Sequence, residues 1–202
     1  TLGRAVGEGF MSGGVLPVIK HIPGHGRAPA DSHLALPVVI AARRQLEETD
    51  FATFRALADM PAAMKAHVVF SAIDEANPAS TSAKVTADII RGHIGFGGLL
   101  MSDDLGMRAL AGPMRARAQA VIAAGSDLAL HCNGNFSEMQ AVAAGVPTLS
   151  GPALRRFEQA VAVTRSATPY DRDAAEFALA GVLAHHAGAR ESVKIEPIDG
   201  IA

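Results

Sequence analysis

Short, continuous apolar runs alternate with longer stretches of helical periodicity along this chain. No other feature constrains the fold as much. The runs are Val15–Ile19, His67–Phe70, Gly98–Met101 and Asp127–His131. Runs that are continuous rather than alternating suit parallel strands buried on both faces. Helices are expected over Leu2–Ser12, Arg43–Leu57, Thr81–Ile94, Arg115–Ala124, Glu138–Ala144 and Gly151–Ala167. Pro113 precedes one of these and Gly125 follows it, as helix starts and stops favour. Ser80, Thr81 or Ser82 can cap the helix that carries Val85, Ile89 and Ile90. Strand, loop, helix, repeated, is the pattern of an α/β fold. Four such units make half of a (β/α)8 TIM barrel, with an open strand at each edge. Three arrangements fit: the other half lies upstream in the natural protein, a second copy supplies it by self-association, or the chain forms a small open sheet.

The chain opens on Thr1 rather than Met, inside a predicted helix, so the natural protein is expected to begin earlier. Residues 1–167 read as the barrel portion and 168–202 as a helix and tail. In the latter, Asp171–His186 carries Phe177, Leu179, Val182 and Leu183 on an apolar stripe, and the last dozen residues show no pattern.

With 202 residues, 49% of them hydrophobic and 19% charged, the chain is long and apolar enough for a real core. The net charge of -2, scattered basic residues, 4% aromatic content and absence of Trp argue against a nucleic-acid surface. No apolar run approaches the ~20 residues of a membrane helix. Cys132 is the only cysteine, which excludes an internal disulfide and fits a reducing, cytoplasmic setting.

Two motifs carry chemistry. The first is Lys20-His21-Ile22-Pro23-Gly24-His25-Gly26, followed by Asp31-Ser32-His33, just past the first predicted strand. Titratable side chains gathered beyond the C-terminal end of a buried strand are how barrel enzymes build active sites. Asp31 and His33 are two apart, so in an extended loop they face the same side. The carboxylate can then fix the imidazole tautomer and raise its basicity, leaving the second nitrogen to exchange a proton. The alternative is a solvated loop histidine. Lys20 and His21 can grip hydroxyls or an anion, or Lys20 can form an ion pair at the barrel mouth. His25 reads as a loop packer. A zinc site from His21, His25 and His33 does not suit the spacing, and no metal or cofactor is expected.

The second motif is Ser102-Asp103-Asp104-Leu105-Gly106-Met107, at the end of the third predicted strand. Asp is a favoured helix N-cap, so one carboxylate can cap the next helix while the other does chemistry. His67 can line the cleft or sit satisfied in the core. His131 and Cys132 read mostly as packing, and His93, His185 and His186 as structural or solvated.

In their order and strand context, these motifs resemble the glycoside hydrolases of family 3, specifically the bacterial NagZ-type β-N-acetylglucosaminidases. The similarity runs from about Leu2 to Ala167. It implies a (β/α)8 barrel, of which this chain carries about the last four units. It also implies retaining exo-hydrolysis that removes GlcNAc from peptidoglycan fragments such as GlcNAc-anhydroMurNAc peptides during cell-wall recycling in the cytoplasm. Asp103 matches the nucleophile and His33, assisted by Asp31, the acid/base. Lys20 and His21 match the pair that hydrogen-bonds the sugar. Two departures stand out. Gly106 occupies a position where serine is more usual, and the half-barrel that brings further sugar-gripping residues is not in this sequence. Phosphorolysis at the same site, or an inactive half-barrel, are the alternatives.

Overall fold

The computed structural model describes residues 2–165 and 167–191, with side chains through residue 185. The chain divides into two units, Thr1–Ala167 and Thr168–Ala202.

In the first unit, helix α1 (Leu2–Ser12) leads into a four-stranded parallel sheet of order β1-β3-β5-β6. Its strands are β1 (Val18–Ile22), β3 (Ala62–Lys65), β5 (Leu99–Asp104) and β6 (Leu128–Leu130). A short parallel pair, β2 (Val38–Val39) with β4 (Val69–Phe70), lies outside that sheet. The crossovers carry α2 (Arg43–Glu48), α3 (Asp50–Arg55), a π-helical segment over Val85–His93, and α4 (Met114–Ala123). Then α5 (Phe136–Ala143) and α6 (Gly151–Ala162) follow, and Val163–Arg165 closes the unit in a 3-10 turn. The result is a partial (β/α) barrel.

The strands do not fall quite where apolar runs place them. β1 starts three residues later than expected and carries Lys20 and His21 within it. The second sheet strand is Ala62–Lys65, not His67–Phe70. Lys65 looks like a boundary in sequence, yet it is wholly buried, and the small Ala62 and Ala63 let the neighbouring layers close over the strand. The apolar run behind it turns away, and only Val69 and Phe70 pair, with β2. The helix expected over Arg43–Leu57 breaks at Thr49, whose hydroxyl has two acceptors for its one hydrogen, the Gln45 carbonyl and the Asp50 carboxylate, each at 2.7 Å. In the π-helical segment the Ile94 N–H reaches the Ile89 carbonyl five residues back. Of the three candidate caps, Ser82 accepts from the Val85 N–H.

One face of the sheet packs on the crossover helices. Ile22, Ala63 and Leu100 meet Leu46, Phe51, Val85, Ile89 and Ile90 in a single core. Each of the larger side chains contributes on the order of 2 kcal/mol by leaving water. The opposite face starts with Val18, Ala62, Leu99 and Leu128, which pack against Phe157 and Ala160 of α6. Farther along that face, by strand alternation, come Lys20 and Asp103.

Asp127, at the head of β6, ties these layers together. It accepts from the Leu100 N–H (2.9 Å), from Arg91 (3.0 Å) and from Arg156 of α6 (2.9 Å). Gly125 (φ +85°) reverses the chain after α4, a conformation that favours glycine. The second unit is described by α7 (Arg172–Glu191), in which Arg172 pairs with Glu176. The patternless last dozen residues lie outside the described residues, apart from Glu191 at the end of α7, and so does the side chain of His186.

Candidate active site

β5 delivers the two carboxylates to its C-terminal end, and they differ in environment. Asp103 is 8% exposed. Its Oδ1 accepts the Asp104 N–H at 2.9 Å, and its Oδ2 stands 3.6 Å from His21 Nε2. Asp104 caps no helix. Its Oδ1 accepts the N–H groups of Gly106 (3.0 Å) and Cys132 (3.3 Å), which closes a tight turn after the strand. A Cβ at position 106 would sit 3.1 Å from Asp104 Oδ2, so glycine leaves that carboxylate room.

β1 brings His21 to Asp103. Register explains the meeting: β3 lies between β1 and β5, with Lys20 opposite Met64 and Met64 opposite Met101. The Lys20–His21 and Ile22–Pro23 peptides are both cis. Burial lowers the His21 pKa, with Lys20 adding to that, while the Asp103 carboxylate opposes it. Lys20 itself is exposed.

The loop after β1 carries the imidazole–carboxylate pair. His33 Nδ1 lies 2.9 Å from Asp31 Oδ1, and the His33 backbone N–H donates to the same oxygen at 2.9 Å. These bonds, the backbone one foremost, pull the Asp31 pKa down. With Nδ1–H donating to the carboxylate, Nε2 is the ring nitrogen not engaged by Asp31. The pair is open to solvent, the His33 side chain being 74% exposed. Among the described residues no hydrogen bond or ion pair joins it to Asp103. The connection runs through His25, whose Nε2 lies 3.1 Å from Ser32 Oγ and whose ring stacks obliquely on His21 at 5.5 Å. Arg27 anchors the loop by donating to Asp50 and Thr49.

His67, left open by the sequence, and His131, read mostly as packing, both sit behind the carboxylates. His67 is fully buried, with Nδ1 2.7 Å from Ser80 Oγ and Nε2 3.1 Å from the Asp104 carbonyl. His131 is lodged between Asp104 (3.5 Å) and Glu138 (3.2 Å). Ser80 and Glu138 carry no sequence signal for these roles. Ser80 reads as a cap and Glu138 as a helix start, and only the fold brings them to the histidines. His93 contacts Arg55, Glu47 and Phe51, a structural setting. Among the described residues no group of three or more His, Cys, Asp or Glu is arranged to hold a metal ion. No described helix is long and apolar enough to cross a membrane.

A family model described as the glycosyl hydrolase family 3 N terminal domain matches residues 1–165. The chain belongs to glycosyl hydrolase family 3. Among similar family 3 proteins, the β-hexosaminidase of Alkalilimnicola ehrlichii is 44% identical over 136 residues, covering 65% of this chain and 39% of that protein. The solved β-N-acetylglucosaminidase of Paenibacillus sp. superposes with a TM-score of 0.68 at 29% identity, covering 84% of this chain and 36% of that one. NagZ from Neisseria gonorrhoeae, solved with N-trifluoroacetyl-D-glucosamine, gives a TM-score of 0.61 at 34% identity, covering 71% and 41%. This family 3 chain therefore spans well under half the length of these three relatives.

Proposed function

We propose that this chain carries the catalytic machinery of a retaining exo-β-N-acetylglucosaminidase that releases non-reducing GlcNAc from peptidoglycan fragments. The observation that supports this best is Asp103 at the C-terminal end of a barrel strand. One of its oxygens is tied to the backbone and the other faces His21. A carboxylate so held is a nucleophile aimed at a fixed point.

In the first step Asp103 Oδ2 attacks the anomeric carbon as the bond to the aglycone oxygen breaks. The His33 imidazolium gives that oxygen its proton. In the second step neutral His33 takes a proton from water, the water oxygen bonds to the anomeric carbon, and the Asp103 carboxylate leaves. Two inversions give net retention. Here an imidazole replaces the acid carboxyl of the usual pair, and Asp31 holds it in the correct tautomer. Lys20 and His21 bind sugar hydroxyls. The 74% exposure of His33 fits a residue that must reach the substrate from a loop.

Similar proteins are named β-hexosaminidases, and one similar structure was solved with N-trifluoroacetyl-D-glucosamine. We carry that sugar class over to this chain. A role in cell-wall recycling and a cytoplasmic setting go with it, with residues 1–167 as the catalytic portion. No nucleic acid or membrane partner enters this reading.

The test is the stereochemistry of 4-nitrophenyl β-N-acetylglucosaminide turnover followed by proton NMR. The β-anomer of GlcNAc should appear first, and Asp103→Ala should abolish its formation. First appearance of the α-anomer, or full activity in Asp103→Ala, would refute the mechanism. Repeating the assay with inorganic phosphate distinguishes phosphorolysis, because an imidazole acid/base does not repel an incoming anion as a carboxylate would. A β-configured sugar phosphate as product would replace hydrolysis with transfer to phosphate. No turnover in any arm would favour an inactive half-barrel.

A further inference from the structure

His67 lies outside the proposed chemistry, yet its hydrogen bonds lead to the nucleophile. A carbonyl oxygen can only accept, so the His67 Nε2 facing the Asp104 carbonyl must carry the hydrogen. In a neutral ring Nδ1 is then an acceptor, and Ser80 Oγ–H donates to it at 2.7 Å. Burial lowers the His67 pKa and keeps the ring neutral, against the opposing pull of Asp103 and Asp104. Ser80 is itself fully buried, and its N–H is tied to the Ala66 carbonyl, so the far end of the relay is rigid.

Residue 104 is thereby gripped at both ends. Its carbonyl accepts from His67, and also from the Met107 N–H at 3.2 Å. Its N–H donates to Asp103 Oδ1. We propose that His67, oriented by Ser80, is a positioning residue that fixes the Asp104 backbone and so aims the second oxygen of Asp103 at the reacting carbon. This rests on the reading of Asp103 as nucleophile. His67 touches neither substrate nor the attacking atom. Its contribution is to keep the carboxylate from swinging, and a displacement of ~1 Å at such an atom can cost on the order of 100-fold in rate.

The design compares wild type with His67→Leu, His67→Gln and Ser80→Ala in the 202-residue chain, each checked by circular dichroism. Gln can still donate from near the Nε2 position, whereas Leu fills space without a donor. Two readouts are taken. The first is NMR: long-range proton–nitrogen correlation for the His67 tautomer, with the Asp103 side-chain carboxyl carbon and the Asp104 amide as position reporters. The second is the rate of covalent inactivation by a 2,4-dinitrophenyl 5-fluoro-β-N-acetylglucosaminide, separated into binding and chemical terms.

We expect the Nε2–H tautomer in wild type, with shifted Asp103 and Asp104 resonances in His67→Leu. The chemical step should slow about 100-fold in that variant with binding within twofold, and largely recover in His67→Gln. Ser80→Ala should fall between. An Nδ1–H or protonated ring, or Asp103 and Asp104 resonances unchanged in His67→Leu, would overturn the proposal. So would a loss that appears only in binding. If wild type forms no adduct, the nucleophile reading fails by itself, and the NMR readout still decides whether His67 holds Asp103.

Discussion

Lys65 offers the sharpest quantitative prediction, because the fold buries its amine with no anion beside it among the described residues. The side chain projects from β3 into the helix layer and is wholly inaccessible. Nζ donates to Thr86 Oγ1 at 2.7 Å and to the Ala124 carbonyl at 3.3 Å, both neutral acceptors. Burial, with a smaller push from Arg91, lowers its pKa from 10.5 to about 7. An unfolded lysine binds its proton near pH 10.4, so between about pH 7 and pH 10 the unfolded chain holds more protons than the folded one. Stability therefore rises with pH across that window, and below pH 7 the full cost of the buried charge is present. At about 1.4 kcal/mol for each tenfold in proton affinity, that cost is on the order of 5 kcal/mol, comparable with the whole stability of a small domain. Lys65→Met keeps the length and removes the charge. It leaves the Ala124 carbonyl without this donor, a loss of about 1 kcal/mol, while the Thr86 hydroxyl keeps its bond to the Ser82 carbonyl. We expect Lys65→Met to be more stable than wild type by roughly 4 kcal/mol at pH 6, with the difference shrinking towards pH 10. Urea denaturation followed by circular dichroism at each pH measures it. Stability profiles that run parallel for the two proteins from pH 6 to pH 10 would refute a lysine held neutral in the fold.

Two further outcomes follow from the geometry. His33→Ala should slow turnover of disaccharide substrates far more than that of 2,4-dinitrophenyl glycosides, whose leaving group needs little protonation, and equal losses in steady-state kinetics on both would argue against His33 as the acid. Asp127→Ala should cost about 3 kcal/mol in urea denaturation, since it removes the carboxylate facing Arg91 and Arg156 and leaves the Leu100 N–H without its acceptor, and a loss under 1 kcal/mol would show that the clamp is ornamental.

Much of the candidate site is legible from residue spacing. Gly98–Met101 reads as a buried strand and the carboxylates follow directly, so Asp103 lands at a strand end without knowledge of the fold. Asp31 and His33 meet as their spacing suggests, but through a turn and not an extended loop: the Leu34 and Ala35 N–H groups bond to the Asp31 carbonyl, and the His33 N–H closes onto the Asp31 carboxylate. The errors have physical causes. Strand β3 is built from alanines and a lysine, whereas pattern reading favours the bulkier His67–Phe70. The spacing of Val85, Ile89 and Ile90 serves α- and π-helical windings alike, so the wide turns over Val85–His93 leave no mark in sequence. Val38–Val39 is too short to declare itself, and its partnership with β4 is purely tertiary. The links from Ser80 to His67 and from Glu138 to His131 span 13 and several residues respectively, and only the packed fold creates them.

The most direct test of the central claim is intact-mass spectrometry with peptide mapping after incubation with the 5-fluoro-N-acetylglucosaminide. The account predicts one covalent sugar per chain, mapped to Asp103 and absent in Asp103→Ala. A folded protein that acquires no adduct, or carries it on Asp104 or any other residue, would contradict the assignment of Asp103 as the nucleophile.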